Sequence, residues 1–148
     1  MGILPHKYNQ HFEKNYKMEK LPEISEIRTV NESSSEILSI KWSPDDLILA
    51  LGCSDGRIKL YSTENYRIVS LIEHPSSKNM PITSVCWRPG TSENGFSSIL
   101  LSTCSDGWVV HWLTDTVSIY FDFRLTNEQC LSVDYSPCLL YTSDAADE

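Results

Sequence analysis

The sequence predicts an all-β protein assembled from repeated four-stranded antiparallel units, and three observations carry that prediction. An eight-residue motif recurs: Ile37-Leu38-Ser39-Ile40-Lys41-Trp42-Ser43-Pro44 is matched by Ile82-Thr83-Ser84-Val85-Cys86-Trp87-Arg88-Pro89, and Cys130-Leu131-Ser132-Val133-Asp134-Tyr135-Ser136-Pro137 opens a third copy, the prolines falling 45 and then 48 residues apart. A dense apolar run follows the motif in each of the first two copies, Leu47 to Leu51 and Ile99 to Leu101. Each run leads into the same tetrapeptide, Cys-Ser-Asp-Gly, at Cys53 to Gly56 and at Cys104 to Gly107. A period of about 40 to 50 residues marks units that bury their faces against neighbours instead of in private cores.

The motif itself reads as the first strand of each unit, rich in β-branched and aromatic residues and closed by a proline-containing turn. The apolar run that follows suits a second strand covered on both faces. Asp-Gly then supplies the positive φ that a tight hairpin needs. Ile58 to Tyr61 and Val109 to Trp112 read as the returning third strands, and a fourth is expected at Tyr66 to Ile72 and at Val117 to Phe123. The stretch Gly90 to Ser98 lengthens the connection between the first two strands of the second unit; its Gly, Ser and Asn content reads as a surface loop, available for a partner contact or simply solvated.

These residues resemble the WD40 repeat family over roughly Ile37 to Pro137. Units of that family end their second strand with Ser-x-x-x-Asp-Gly, as Ser102 to Gly107 does, and close their third with Trp-Asp. The resemblance implies WD40-like β-propeller blades: two complete four-stranded blades at residues 37–74 and 82–123, the start of a third at 129–137, and an incomplete ring. It further implies a structural ladder in the second blade made by His74, Ser102, Asp106 and Trp112, which in the family ties the outer strands together. Departures are plain. Ser62 follows Tyr61 and Leu113 follows Trp112 where the family has Asp, Leu51 holds the serine position of the first blade, and His74 is followed by Pro75. The first blade is therefore expected to depend on packing.

What the resemblance implies for function is a non-catalytic protein–protein interaction scaffold. The alternative is a propeller domain of a larger enzyme or of a transport or regulatory assembly whose defining chemistry lies in other sequence. The residues agree that the chain is no enzyme. Asp55 and Asp106 recur in the same turn, as structural devices do, whereas a catalytic carboxylate would occur once. His6, His11, His74 and His111 lack metal-ligand spacing, and no phosphate-binding glycine loop or nucleophile elbow occurs, so no cofactor or metal is expected. His111 stands where the first unit has Leu60 and reads as a satisfied or rim histidine. Cys53, Cys86, Cys104 and Cys130 form no Cys-x-x-Cys pair and read as small buried hydrophobes, with a reactive thiol the lesser alternative.

Composition bounds partners and place. The 148 residues carry a formal charge of -8 with 41% hydrophobic residues, which argues against general binding to nucleic-acid phosphates, and no apolar stretch approaches a membrane span. Met1 to His6 lacks a secretory core and a myristoylation signal, so an intracellular, cytoplasmic location is expected and the acceptor Asn31-Glu32-Ser33 carries no glycan. Other proteins are the expected partners.

Residues 1–36 stand apart from the repeats. Tyr8, Phe12 and Tyr16 recur every four residues among Lys7, Lys14, Lys17 and Lys20, which suits a short amphipathic helix packed on the propeller or a disordered lead-in better than an RNA-binding arm. Glu23 to Val30 is expected to provide a closing strand for a neighbouring blade, by analogy with the family. At the other end, residues 138–148 (Cys138 to Glu148) break the repeat pattern and look like an in-frame translation of a sequencing-library adapter, or else a divergent native tail. The chain is thus expected to be an amino-terminal piece of a longer protein.

Overall fold

The computed structural model describes residues 25–26, 28–31, 34–90, 98–125 and 128–136. Eight strands form two four-stranded antiparallel sheets, each a simple meander, with no helix among the described residues. Blade 1 comprises β1 (Ile37–Trp42), β2 (Ile48–Cys53), β3 (Arg57–Ser62) and β4 (Ile68–Glu73); blade 2 comprises β5 (Ile82–Trp87), β6 (Ile99–Cys104), β7 (Trp108–Leu113) and β8 (Ser118–Arg124). Hydrogen-bonded order equals chain order in both, each strand pairing antiparallel with the next.

The turn chemistry explains the boundaries. Gly56 and Gly107 adopt φ of 83° and 92°, and their N–H groups donate to Cys53 and Cys104 carbonyls at 3.3 and 3.1 Å. Each Asp-Gly hairpin is therefore closed by a turn whose last residue is in the left-handed region, where glycine carries no Cβ penalty. In the β1–β2 turn the buried Ser43 hydroxyl donates to Asp45 at 2.6 Å and accepts from the Ile48 N–H, holding that carboxyl below the usual range. The outer strands start later than the sequence suggests. Tyr66 and Val117 occupy the same place in the two units with φ of 58° and 52°, and this left-handed backbone cannot continue a strand, so β4 begins at Ile68 and β8 at Ser118.

Strand alternation gives each blade two unlike faces. The back face of blade 1 is lined by Ser39, Ala50, Gly52, Ile58, Leu60 and Ile72; the front face of blade 2 carries the bulkier Val85, Trp87, Leu100, Val110 and Trp112. These two faces meet as the principal core. The core therefore belongs to neither blade, as the repeat period requires.

A second contact of the same kind starts on the far side of blade 2. Val133 and Tyr135, the counterparts of Val85 and Trp87, pack with Cys130 against Leu101 and Val109 on its back face. The third copy thus takes the position of a first strand without forming one: residues 128–136 carry no strand. Residues 25–26 and 28–31 are likewise irregular. The expected helix, the lengthened loop at 91–97 and the segment 138–148 lie outside the described residues.

Candidate functional site

Polar groups from both repeats and from the linker between them gather at the blade 1–blade 2 seam. At its inner edge the Trp87 indole Nε1 donates to the Lys41 carbonyl at 3.1 Å, and the Val85 N–H donates to the Ser39 hydroxyl at 3.1 Å. At its outer edge the β4–β5 linker carries His74, only 1% exposed, whose Nε2 lies 3.1 Å from an Asp122 carboxylate oxygen on β8. The His74 ring stacks beside Trp108 at 4.6 Å and meets Trp112 edge-on at 6.1 Å. Ser77 of the same linker donates its hydroxyl to Asp106 at 2.8 Å.

The four ladder residues thus divide into two groups. Ser102 and Trp112 bond directly, the fully buried Ser102 hydroxyl accepting from Trp112 Nε1 at 2.8 Å. His74 lies against the Trp112 ring but takes Asp122 as its acid, while Asp106 takes Ser77. Two buried atoms next to this array, His74 Nδ1 and Asp106 Oδ1, have no hydrogen-bond partner among the described residues. The sequence marked Asp106 through its turn; Asp122 and Ser77 passed unnoticed. The signal for Asp122 was a single acid in the aromatic run Ile119 to Phe123, where the alternation of an outer strand places one charge toward the neighbouring blade.

Blade 1 has a different solution at the same positions. Leu51 replaces Ser102, Tyr61 replaces Trp112 and Lys59 replaces Val110; Leu51, Cys53 and Tyr61 pack together. Lys59 is 3% exposed, and its ammonium donates to the Ser34 and Ser35 hydroxyls at 2.8 and 3.3 Å. Arg28 lies over the Tyr66 ring at 5.3 Å. Between these contacts runs a groove of about 170 Å³ lined by Val30, Ile40, Trp42, Leu49, Leu51 and Tyr61. Trp42 is 56% exposed there, while its counterpart Trp87 is buried in the seam.

Electrostatics keep the thiols quiet. Burial pushes Cys104 up to about 11, and burial followed by the hydrogen bond to Asp134 raises Cys86. Donation from Cys86 Sγ at 3.2 Å in turn lowers Asp134. Burial also pushes Tyr135 up to about 12 and, with a smaller push from Arg88, lowers His111, whose ring sits 5.9 Å from Tyr135. Cys53, Cys86, Cys104 and Cys130 are all buried.

Comparison with known proteins places this geometry in a family. Residues 18–90 match the family described as the anaphase-promoting complex subunit 4 WD40 domain. Among curated proteins, anaphase-promoting complex subunit 4 of Dictyostelium discoideum is 35% identical over 61 residues, 41% of this chain and 7% of that protein. The human intraflagellar transport protein 122 homolog is 35% identical over 66 residues, 45% of this chain and 5% of its own length. The chain therefore spans under a tenth of these relatives. Among solved structures, the β-propeller domain of Myceliophteria thermophila Cps50 (Swd1) superposes with a TM-score of 0.59 at 19% identity, covering 72% of this chain and 29% of the other. A chain of the mitotic checkpoint complex does so with 0.55 at 16% identity, covering 67% and 27%. Repeat, seam and comparisons agree, and the chain belongs to the WD40 repeat family of β-propeller proteins.

Proposed function

We propose that the chain serves as a non-catalytic protein–protein interaction scaffold, the propeller portion of a subunit in a multi-protein assembly. The observation that supports this best is how the polar groups of the seam are used. Ser39, Trp87, His74, Asp122, Ser77 and Asp106 bind blades and linkers to each other, which leaves rims and faces, rather than a reaction centre, as the chain's working surface. A net charge of -8 favours protein partners over nucleic acid. No helix among the described residues is long and apolar enough to cross a membrane, and we assign the protein to the cell interior by analogy with the complex subunits it resembles.

The open front face of blade 1 fits the same reading. Ile40, Trp42, Leu49 and Tyr61 are the counterparts of Val85, Trp87, Leu100 and Trp112, which blade 2 uses to seat on blade 1. The occupant assigned here is the small-residue back face of a further blade, offering a main-chain carbonyl to Trp42 Nε1 as Lys41 offers one to Trp87.

A second reading, the propeller domain of a transport assembly, draws on the similarity to the intraflagellar transport protein. Purification of the tagged full-length protein from its own cells, with quantitative mass spectrometry across a sizing column, tests both. Fixed-ratio recovery with anaphase-promoting complex subunits supports the first reading, and recovery with intraflagellar transport proteins supports the second. Elution as a free monomer overturns both.

A further inference from the structure

We infer that β4, the outer strand of blade 1, pairs antiparallel with β4 of a second copy of this chain about a two-fold axis at Ser70. Among the described residues β4 is paired with β3 alone, so one row of its main-chain N–H and C=O groups is open to pairing. Along that edge Ile68, Val69 and Leu71 are 45%, 54% and 53% exposed, and no lysine or proline interrupts the stretch between Arg67 and Glu73. A bulge at Val69, which has no partner on β3, is the strand's one blunting device, and the strand continues past it to Ile68. Closing a propeller ring covers the faces of a blade, not this outer edge.

The occupant follows from the strand's own order of residues. Set antiparallel to itself with Ser70 opposite Ser70, the strand places Val69 opposite Leu71, Ile68 opposite Ile72 and Arg67 opposite Glu73 of the other copy, and the two-fold repeats each match. Apolar residues thus meet apolar residues, and a cation meets an anion at both ends. Val69 and Leu71 share a face by strand alternation, so their exposed side chains meet across the axis. Such a two-fold closes whether Ser70 falls in a hydrogen-bonded or a non-hydrogen-bonded pair, since Val69 and Leu71 then take the other kind. Arg67 and Glu73 are exposed, and neither forms an ion pair among the described residues; across the edge they fix register more than they add affinity. No other described edge offers this. Centred on Phe121, β8 would set Ser118 against Arg124, whose Nε already donates to the Asp106 carbonyl at 3.0 Å. The inner strands β1 and β5 are joined to each other at the seam, where the Val85 N–H donates to Ser39.

Sedimentation equilibrium on the full chain and on its variants tests this. The wild-type chain should show a reversible monomer–dimer equilibrium. A species that stays monomeric as its concentration is raised overturns the proposal, including the case in which a strand of some other protein takes the edge. Val69→Lys, which puts a charge on the edge at an exposed position, should abolish the dimer while keeping the β-sheet circular dichroism; a dimer that survives it overturns the placement on β4. Arg67→Glu and Glu73→Arg should each weaken self-association at least about tenfold, because two attractive pairs become two repulsive ones. Mixed in equal amounts, these two variants should associate with each other as the wild type does, since each contact between positions 67 and 73 then joins a carboxylate to a guanidinium. Failure of the mixture to associate overturns the register centred on Ser70.

Discussion

Replacing Gly52 by alanine sets two effects of opposite sign against each other in one measurement. Locally the change should help: the φ of Gly52 is not in the left-handed region, and removing a glycine's unfolded-state freedom stabilises by about 0.4–1 kcal/mol. Across the seam it should hurt. A Cβ on Gly52 would lie 2.8 Å from Ile82 Cγ2, 3.1 Å from the Ile82 carbonyl oxygen and 3.3 Å from Val85 Cγ1. Ile82 is 2% exposed and its strand is paired with β6 through Cys104, so neither the methyl nor the backbone oxygen has room to retreat. Overpacking of this sort costs about 1–3 kcal/mol, so Gly52→Ala is expected to destabilise by a net of about 1–2 kcal/mol. Urea unfolding followed by tryptophan fluorescence is a direct assay, because Trp87 and Trp112 lie in the seam. Pairing the change with Ile82→Ala should then show a coupling of about 0.5 kcal/mol or more, since the shortest of these contacts, to Ile82 Cγ2, disappears with the side chain. A Gly52→Ala protein as stable as wild type, or more stable, would refute the packing of blade 2 on blade 1.

Other outcomes follow from the same geometry. Asp122→Asn should cost about 1–3 kcal/mol, because His74 is buried and loses its carboxylate, whereas Asp115→Asn on the exposed turn should change the urea midpoint little. His111 has its folded pKa below the ordinary value of 6.5, so the unfolded chain takes the proton first. The stability it contributes is complete above about pH 6.5 and is lost as pH falls through the lower folded value. Urea midpoints between pH 7.5 and 5.5 should therefore fall less for His111→Leu, which copies blade 1's Leu60, than for wild type. Cys104, pushed up to about 11, has about a thousandth of its thiol ionised at pH 8 and should resist alkylation in the native protein while reacting readily in urea; fast native labelling would contradict its burial.

The elements were legible because their signals are local. Apolar runs, a proline-closed motif and Asp-Gly turns fixed each blade's meander without reference to anything distant, and Gly56 and Gly107 adopt the left-handed turn backbone that glycine permits. What was misplaced was also local in origin: nothing in the identities of Tyr66 and Val117 announces a positive φ, so the outer strands seemed to start early. The candidate site was only half legible. The Trp112–Ser102 bond joins adjacent strands of one hairpin and follows from spacing. The partnerships of His74 with Asp122 and of Ser77 with Asp106 span 48 and 29 residues, and they depend on how the linker crosses the seam.

Sequence alone therefore determined the repeat, the strand order and the turn residues, since each rests on side-chain alternation and backbone preference over a few neighbouring positions. Tertiary structure alone decided which face of a blade is small and which is broad, which acid His74 meets, and that a lysine in blade 1 can be buried under two serine hydroxyls. The physical reason is that a blade has no core of its own. Its side chains acquire their environment only from the next blade and from the segments laid across its open face, and that environment is fixed by contacts some 45 residues apart.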